Sequence, residues 1–294
     1  MENKKEKLKI LVCAHKPDSQ IRNYPPYMPI QVGAALHPEM DLGFQKDNVG
    51  DNISEKNPRY CELSAIYWGW KNIKDVEYLG LAHYRRYFDI DINDSNVDKW
   101  MKGCDMIVVD KGLNHSFMIN YFSVAMGTTK EDFWIYMNEL IKMYPQYTKQ
   151  IYDYYFNNHR YIPCTMFIAK KEIFDEFCEF VFPLFQKLEN QLRQHPYSRQ
   201  NRNIAYFGEF SLGLFIHCRK LRVKMAPMIK DGKSSRLNFK QNIKKHLFGL
   251  YIRAYSFLRN IDKKQRIIMI PDDVKLGLRN DGYELSELEK CNNS

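Results

Sequence analysis

The chain has 294 residues, 45% of them hydrophobic and 27% charged, which excludes a disordered polar chain, a collagen-like fibre and a polytopic membrane protein. Its formal charge of +9 is local: Lys230 to Ile270 carries eleven Lys or Arg against Asp231 and Asp262, and the remainder balances at 33 basic and 33 acidic residues. A neutral body argues against a nucleic-acid groove, and a local basic stretch points to a tail that meets an anionic surface.

The start of the chain is charged and leads into the first apolar run, Leu8 to Ala14, which is too short and polar for a signal-peptide core. No window approaches the ~20 apolar residues of a membrane span. The expected location is the cytoplasm, with peripheral contact at the inner face of the cell membrane. Seven dispersed cysteines, Cys13, Cys61, Cys104, Cys164, Cys178, Cys218 and Cys291, form no CxxC pair and read as reduced thiols.

Lys16 to Lys56 holds five prolines and weak periodicity, and is expected to be a long surface excursion. Asn57-Pro58 reads as a cap and first turn of a helix that runs to Asn72. Tyr78 to His83 and Asp105 to Val109 are the second and third strand runs. Residues Lys111 to Asn158 carry helical patterns and many aromatics, suggesting a lobe beside the sheet, with Thr129-x-x-Asp132 opening a helix that ends at Pro145. Ile162 to Ala169 is the fourth strand run. Glu172 to Arg193 predicts a long helix kinked by Pro183, and Asn203 to Lys220 another, before a fifth strand from Leu221 to Ala226. Strand alternating with helix predicts an α/β fold, a mostly parallel sheet with helices on both faces. The expected division is an α/β domain over residues 1–230 and a basic helical extension over 231–294.

In such sheets ligands bind beyond the carboxyl ends of the strands. The first strand ends in His15-Lys16-Pro17 and the second in His83-Tyr84-Arg85-Arg86. Two adjacent arginines there can grip a diphosphate, or they can be a solvated basic turn. Gly50-Asp51-Asn52 before a helix can hold an anion or a ribose hydroxyl, or only shape a turn. Asp89 and Asp91 are weak candidate divalent-cation ligands whose spacing better suits an exposed edge or loop. Glu209, on an otherwise apolar helix, either pairs with a base or acts as one. GxGxxG after the first strand, the P-loop, GxSxG and HExxH are all missing, which removes the main support for dinucleotide oxidoreductases, P-loop enzymes, serine hydrolases and zinc peptidases.

The stretches His15-Lys16-Pro17, Pro29-Ile30-Gln31-Val32-Gly33, Gly50 to Asn57, Tyr60-Cys61-Glu62-Leu63, Tyr67 to Asn72, Gly80 to Phe88, Met166-Phe167-Ile168 and Phe207-Gly208-Glu209 resemble, in order and spacing, a bacterial family of capsular and exopolysaccharide biosynthesis proteins. That family has long been catalogued as a domain of unknown function and is regarded as glycosyltransferases. The resemblance covers roughly residues 8–228 and implies a GT-A-like domain with a Rossmann-like donor half. It implies a sugar moved from a nucleotide-sugar donor, UDP-linked, to a capsular, exopolysaccharide or O-antigen glycan, with galactose in pyranose or furanose form as the expected sugar.

Such folds usually carry Asp-x-Asp at a strand end to hold Mn or Mg. Here His83-Tyr84-Arg85 stands in that position, so Arg85 and Arg86 become the expected diphosphate partners and His83 an orienting group. By the same resemblance His15, Lys16, Asp51 and Asn52 hold the nucleoside, and Tyr84, Thr165 and Met166 line the substrate site. Glu209 is the expected general base. Thr165 stands where the family has an amide, which points to a different acceptor. The tail from Phe239 to Arg259 spaces apolar residues helically among lysines and arginines, so residues 236–266 are expected to lie on anionic lipid and to suit a lipid-linked oligosaccharide acceptor. The competing expectation is a non-catalytic carbohydrate-binding or scaffold subunit.

Overall fold

The computed structural model describes residues 6–110, 127–158, 162–194, 200–261 and 270–288. Its sheet contains β1 (Leu8–Ala14), β2 (Tyr27–Gln31), β3 (Gln45–Lys46), β4 (Tyr78–His83), β5 (Arg86–Phe88), β6 (Met106–Val109), β7 (Phe167–Lys170), β8 (Val223–Ala226), β9 (Met228–Lys230) and β10 (Lys233–Ser234). The helices are α1 (Asn57–Tyr60), α2 (Leu63–Asn72), α3 (Val97–Met101), α4 (Lys130–Met143), α5 (Thr148–Phe156), α6 (Lys171–Gln191), α7 (Asn203–Arg219), α8 (Phe239–Ile261) and α9 (Asp272–Asn280).

The α/β expectation holds. Strands β3, β2, β1 and β4 lie side by side and parallel, β7 follows antiparallel, and β6 and β8 resume the first direction. A ribbon of β5, β9 and β10 leaves the carboxyl end of β4 with alternating direction. Side chains alternate across the sheet, as extended backbone requires. Ile10, Val12, Ala82, Ile107 and Ile168 face one layer that includes Tyr87, Phe88, Val97 and Met101. Leu11 and Leu79 face α2, where a Cβ on Gly69 would stand 2.7 Å from the Leu11 side chain. The missing side chain lets this helix press onto the sheet, so its apolar residues become core.

Three boundaries differ from expectation. The segment 16–56 contains β2, most of it buried, and β3, because β2 completes the parallel sheet beside β1 and brings Pro29 opposite Val12. The fourth strand begins only at Phe167, since Cys164 and Thr165 turn into left-handed backbone at φ 67° and 48°. The helix expected over 57–72 is split: Asn57 is already helical, its side chain donates to Cys61 O and Ser64 Oγ at 2.9 Å, and Cys61 breaks the helix at φ 48°. By contrast, the Thr129 side chain accepts from the Asp132 amide at 3.0 Å and opens α4 as its spacing predicts. Helix α6 runs through Pro183 as one element.

The chain separates into two compact units. The first holds the sheet and comprises the described residues of Met1–Lys111, Ile162–Pro183 and Ile204–Arg236. The second draws on the described residues of Gly112–Tyr161, Leu184–Asn203 and Leu237–Ser294. The expected boundary at 230/231 therefore falls inside the first unit, and the carboxyl-terminal residues are more than a tail. In the second unit Asn138 Oδ1 accepts from the amides of Glu287 and Leu288 at 3.2 and 3.4 Å, and Leu285 and Leu288 are buried. Phe133, Trp134, Tyr136 and Tyr155 fill its centre, with a 2.8 Å hydrogen bond between the Tyr136 and Tyr155 hydroxyls. The expected lobe over 111–158 lies partly outside the described residues. Among the described residues no helix is long and apolar enough to cross a membrane.

Candidate functional site

Four chain segments converge at the carboxyl edge of the parallel strands. Strand β1 brings Cys13 and β4 brings His83, its neighbour in register. The two-residue turn Tyr84-Arg85 returns the chain so that Arg86 pairs opposite His83. The turn before β7 contributes Cys164 and Thr165, and the break between α1 and α2 contributes Cys61 and Glu62.

The contacts within this group are specific. His83 Nε2 lies 2.7 Å from the Cys164 carbonyl oxygen. A carbonyl only accepts, so Nε2 carries the proton and donates. Nδ1 sits 3.9 Å from the Cys13 thiol, which itself donates to Ala82 O at 3.2 Å. Arg86 NH1 approaches Cys164 Sγ at 3.5 Å. Thr165, fully buried, donates from Oγ1 to Glu62 Oε1 at 3.2 Å. A β-branched residue with positive φ is costly, and such strain persists only where surrounding contacts over-determine it. Here His83 holds the turn from one side and Glu62 from the other. Burial pushes the Cys13 thiol well above its ordinary range, with the Glu62 charge adding to this and Arg86 opposing it. It is thus a packed thiol, not a nucleophile.

Glu209 is half-buried on α7, immediately after Gly208. A Cβ on Gly208 would meet three atoms of the Leu63 side chain at 2.7 to 3.1 Å, so the glycine sets how closely α7 approaches the first turn of α2. That approach sets Gly208 against Leu63, the residue that follows Glu62. Met166 is fully buried in the sheet core.

The remaining expected residues are distributed differently. Arg85, at the tip of the β4–β5 turn, donates from Nε to Asp18 Oδ2 at 2.8 Å, with NH2 at 2.7 Å from the same oxygen. The Gln20 amide and then Arg85 hold the Asp18 carboxyl below its usual range. The two arginines are therefore not a matched grip: one answers a carboxylate, the other faces Cys164. His15 meets the Tyr84 ring edge-on at 5.4 Å, and Lys16 is exposed, its charge acting on Asp18.

Asp51 and Asn52 belong elsewhere. Asn52 Nδ2 donates to Gly50 O at 2.7 Å and its Oδ1 accepts from the Ser54 amide at 3.1 Å, a self-contained turn. The Asp51 carboxylate accepts from Tyr67 OH at 3.2 Å, and its backbone oxygen accepts from Asn72 Nδ2 at 2.8 Å. Asn72 closes α2, so this loop is tied about 15 Å along the helix from Glu62, taking 1.5 Å per residue. The turn-forming alternative describes this pair.

Asp89 and Asp91 have partners of their own in the fold. Asp89 accepts from Ser234 Oγ at 2.5 Å and Arg236 Nε at 2.6 Å, which together hold its carboxyl below the usual range. Asp91 uses its backbone carbonyl to accept from Trp100 Nε1 at 2.7 Å. No group of three or more His, Cys, Asp or Glu among the described residues could hold a metal.

Glu62 is the residue that reasoning on motifs alone passed over. It lies inside a recognised stretch, Tyr60-Cys61-Glu62-Leu63, but its partner Thr165 is more than a hundred positions away. The backbone reversal at Cys61 that turns it has no glycine to announce it.

The apo structure of the bifunctional glycosyltransferase WbbM is similar to this chain, with a TM-score of 0.69 and 25% identity over 79% of this chain. The similar region makes up 47% of the WbbM chain, so this chain spans about half its length. No curated protein matches the sequence. The family described as Domain of unknown function (DUF4422) matches residues 9–220, from the first strand through the end of the helix that carries Glu209, and the chain belongs to that family.

Proposed function

We propose that this chain is a glycosyltransferase that moves a sugar from a nucleotide-sugar donor to a growing surface glycan. The observation that carries the reading is the fold shared with WbbM, together with a cation, Arg86, held at the carboxyl edge of the parallel strands. Open α/β sheets bind ligands at that edge. A departing diphosphate needs preorganised positive partners, and a fixed guanidinium supplies them without reorganising. Arg86 is the first such partner, and Arg85 serves mainly to fix the turn through Asp18. His83 is a positioning residue, holding the Cys164–Thr165 turn through its Nε2–H. Glu209 is the general base toward the acceptor hydroxyl, a role that requires hydrogen-bond reach in the bound complex. The donor is UDP-linked, the sugar galactose in pyranose or furanose form, and the acceptor a capsular, exopolysaccharide or O-antigen glycan in its lipid-linked form.

A thermal-shift screen of nucleotide sugars, run with and without manganese, tests this. One UDP-sugar should raise the melting temperature and release UDP on incubation, since a ligand stabilises only the state that binds it. Stabilisation without UDP release in the presence of acceptor would instead identify a carbohydrate-binding subunit. A screen in which no nucleotide sugar stabilises the protein would sink the reading.

A further inference from the structure

We infer that the amino-terminal half of helix α8 is a docking surface for an anionic lipid bilayer. This inference stands on different residues from the proposed reaction and does not depend on it.

Helix α8 runs from Phe239 to Ile261 and contains five Lys or Arg and no Asp or Glu. Phe239, Ile243, Leu247 and Leu250 recur at helical spacing and are 80%, 45%, 61% and 50% exposed. At 3.6 residues per turn these four fall within one quadrant of the helix, and Lys240 and Lys244 line the same side at its border. A large exposed apolar stripe on a soluble domain marks an interaction face, because isolated apolar residues scatter and do not align. Its occupant must therefore accept both hydrocarbon and positive charge.

A bilayer of anionic lipid does so: the side chains enter the acyl boundary and the lysines stay among the headgroups. A second copy of the helix would bring the bordering lysines of both stripes together with no acid on the helix to relieve them. Nucleic acid would answer the lysines and leave the leucines exposed to water. Charge and apolar spacing together select the membrane surface.

The test is flotation of the full-length chain with phosphatidylcholine vesicles, with and without phosphatidylglycerol. The protein should float with the anionic vesicles and remain behind with neutral ones, and raised salt should weaken binding. The double variant Phe239→Ser and Leu247→Ser should lower partitioning on the order of tenfold or more, as should Lys240→Gln with Lys244→Gln. Because all four positions are exposed, the melting temperature should not move, and UDP release with a water-soluble acceptor should be unaffected. Equal flotation by wild type and the apolar double variant would overturn the inference. So would failure to float with either vesicle, an α8-dependent dimer in sedimentation, or duplex DNA binding indifferent to Leu247→Ser.

Discussion

The two ends of helix α2 are built from similar polar side chains and are put to different uses. At its carboxyl end, Trp68 Nε1 donates to Val49 O at 2.7 Å and Asn72 Nδ2 reaches Asp51 O, so the incoming loop is tied down by relaxed hydrogen bonds. At its amino end, Glu62 emerges from a backbone reversal and meets Thr165, which is itself held in left-handed backbone. One end is satisfied by its own neighbourhood. The other is assembled from four distant segments, each constraining the next, and it lies at the sheet edge where ligands bind. A polar residue near a helix is thus informative about chemistry only when its partners come from elsewhere in the chain.

The sharpest way to break this contrast is by activity. Arg86→Ala should reduce sugar transfer by about 100-fold or more, the cost of one preorganised partner for developing charge, with donor release assayed as UDP. Asp51→Ala, at the opposite end of α2, should stay within about twofold of wild type, as expected for a surface turn. Arg85→Ala should fall between them, since its guanidinium already answers Asp18. Equal losses for Arg86→Ala and Asp51→Ala would remove the distinction.

Next in size is the junction of α7 with the start of α2. Gly208→Val should destabilise the protein by about 1–3 kcal/mol in urea unfolding, because the added side chain overlaps the fully buried Leu63 side chain. At the carboxyl end, Asn72→Ala should cost about 1–2 kcal/mol through two lost hydrogen bonds while leaving transfer unchanged. A large loss of transfer in Asn72→Ala would mean that the two ends are coupled.

The smallest effect separates the β5–β9–β10 ribbon from both. Asp89 is held below its ordinary range by Ser234 and Arg236, so its contribution to stability is complete above the unfolded carboxylate pKa of about 4 and disappears as pH falls through the lower folded value. The Asp89 contribution should be constant from neutral pH to about 5 and fade below about 4, so Asp89→Asn should make the acid decline in melting temperature shallower.

Much of this was legible in the residues. Leu8–Ala14 and Tyr78–His83 were readable to the residue because continuous apolar runs leave a parallel strand no other place to go. Thr129 and Asp132 marked a helix start because a hydroxyl three residues before an amide satisfies it locally. The candidate site was half legible: strand ends pointed to His83 and Arg86, which the structure sets opposite each other in register. The pairing of Arg85 with Asp18, the docking of Asp51 on α2 and the clamp of Arg236 on Asp89 were not, because each joins residues too far apart for spacing to record.

What the sequence by itself determined was the main strands and long helices and the α/β class, since hydrophobic period and capping act within one or two turns of chain. What only the tertiary structure decided was which charges remain available, because an arginine's partner is chosen by packing. Left-handed backbone at Cys61, Cys164 and Thr165 belongs to the same class: no local preference calls for it, and it exists because the surrounding sheet and helices leave those residues no other path.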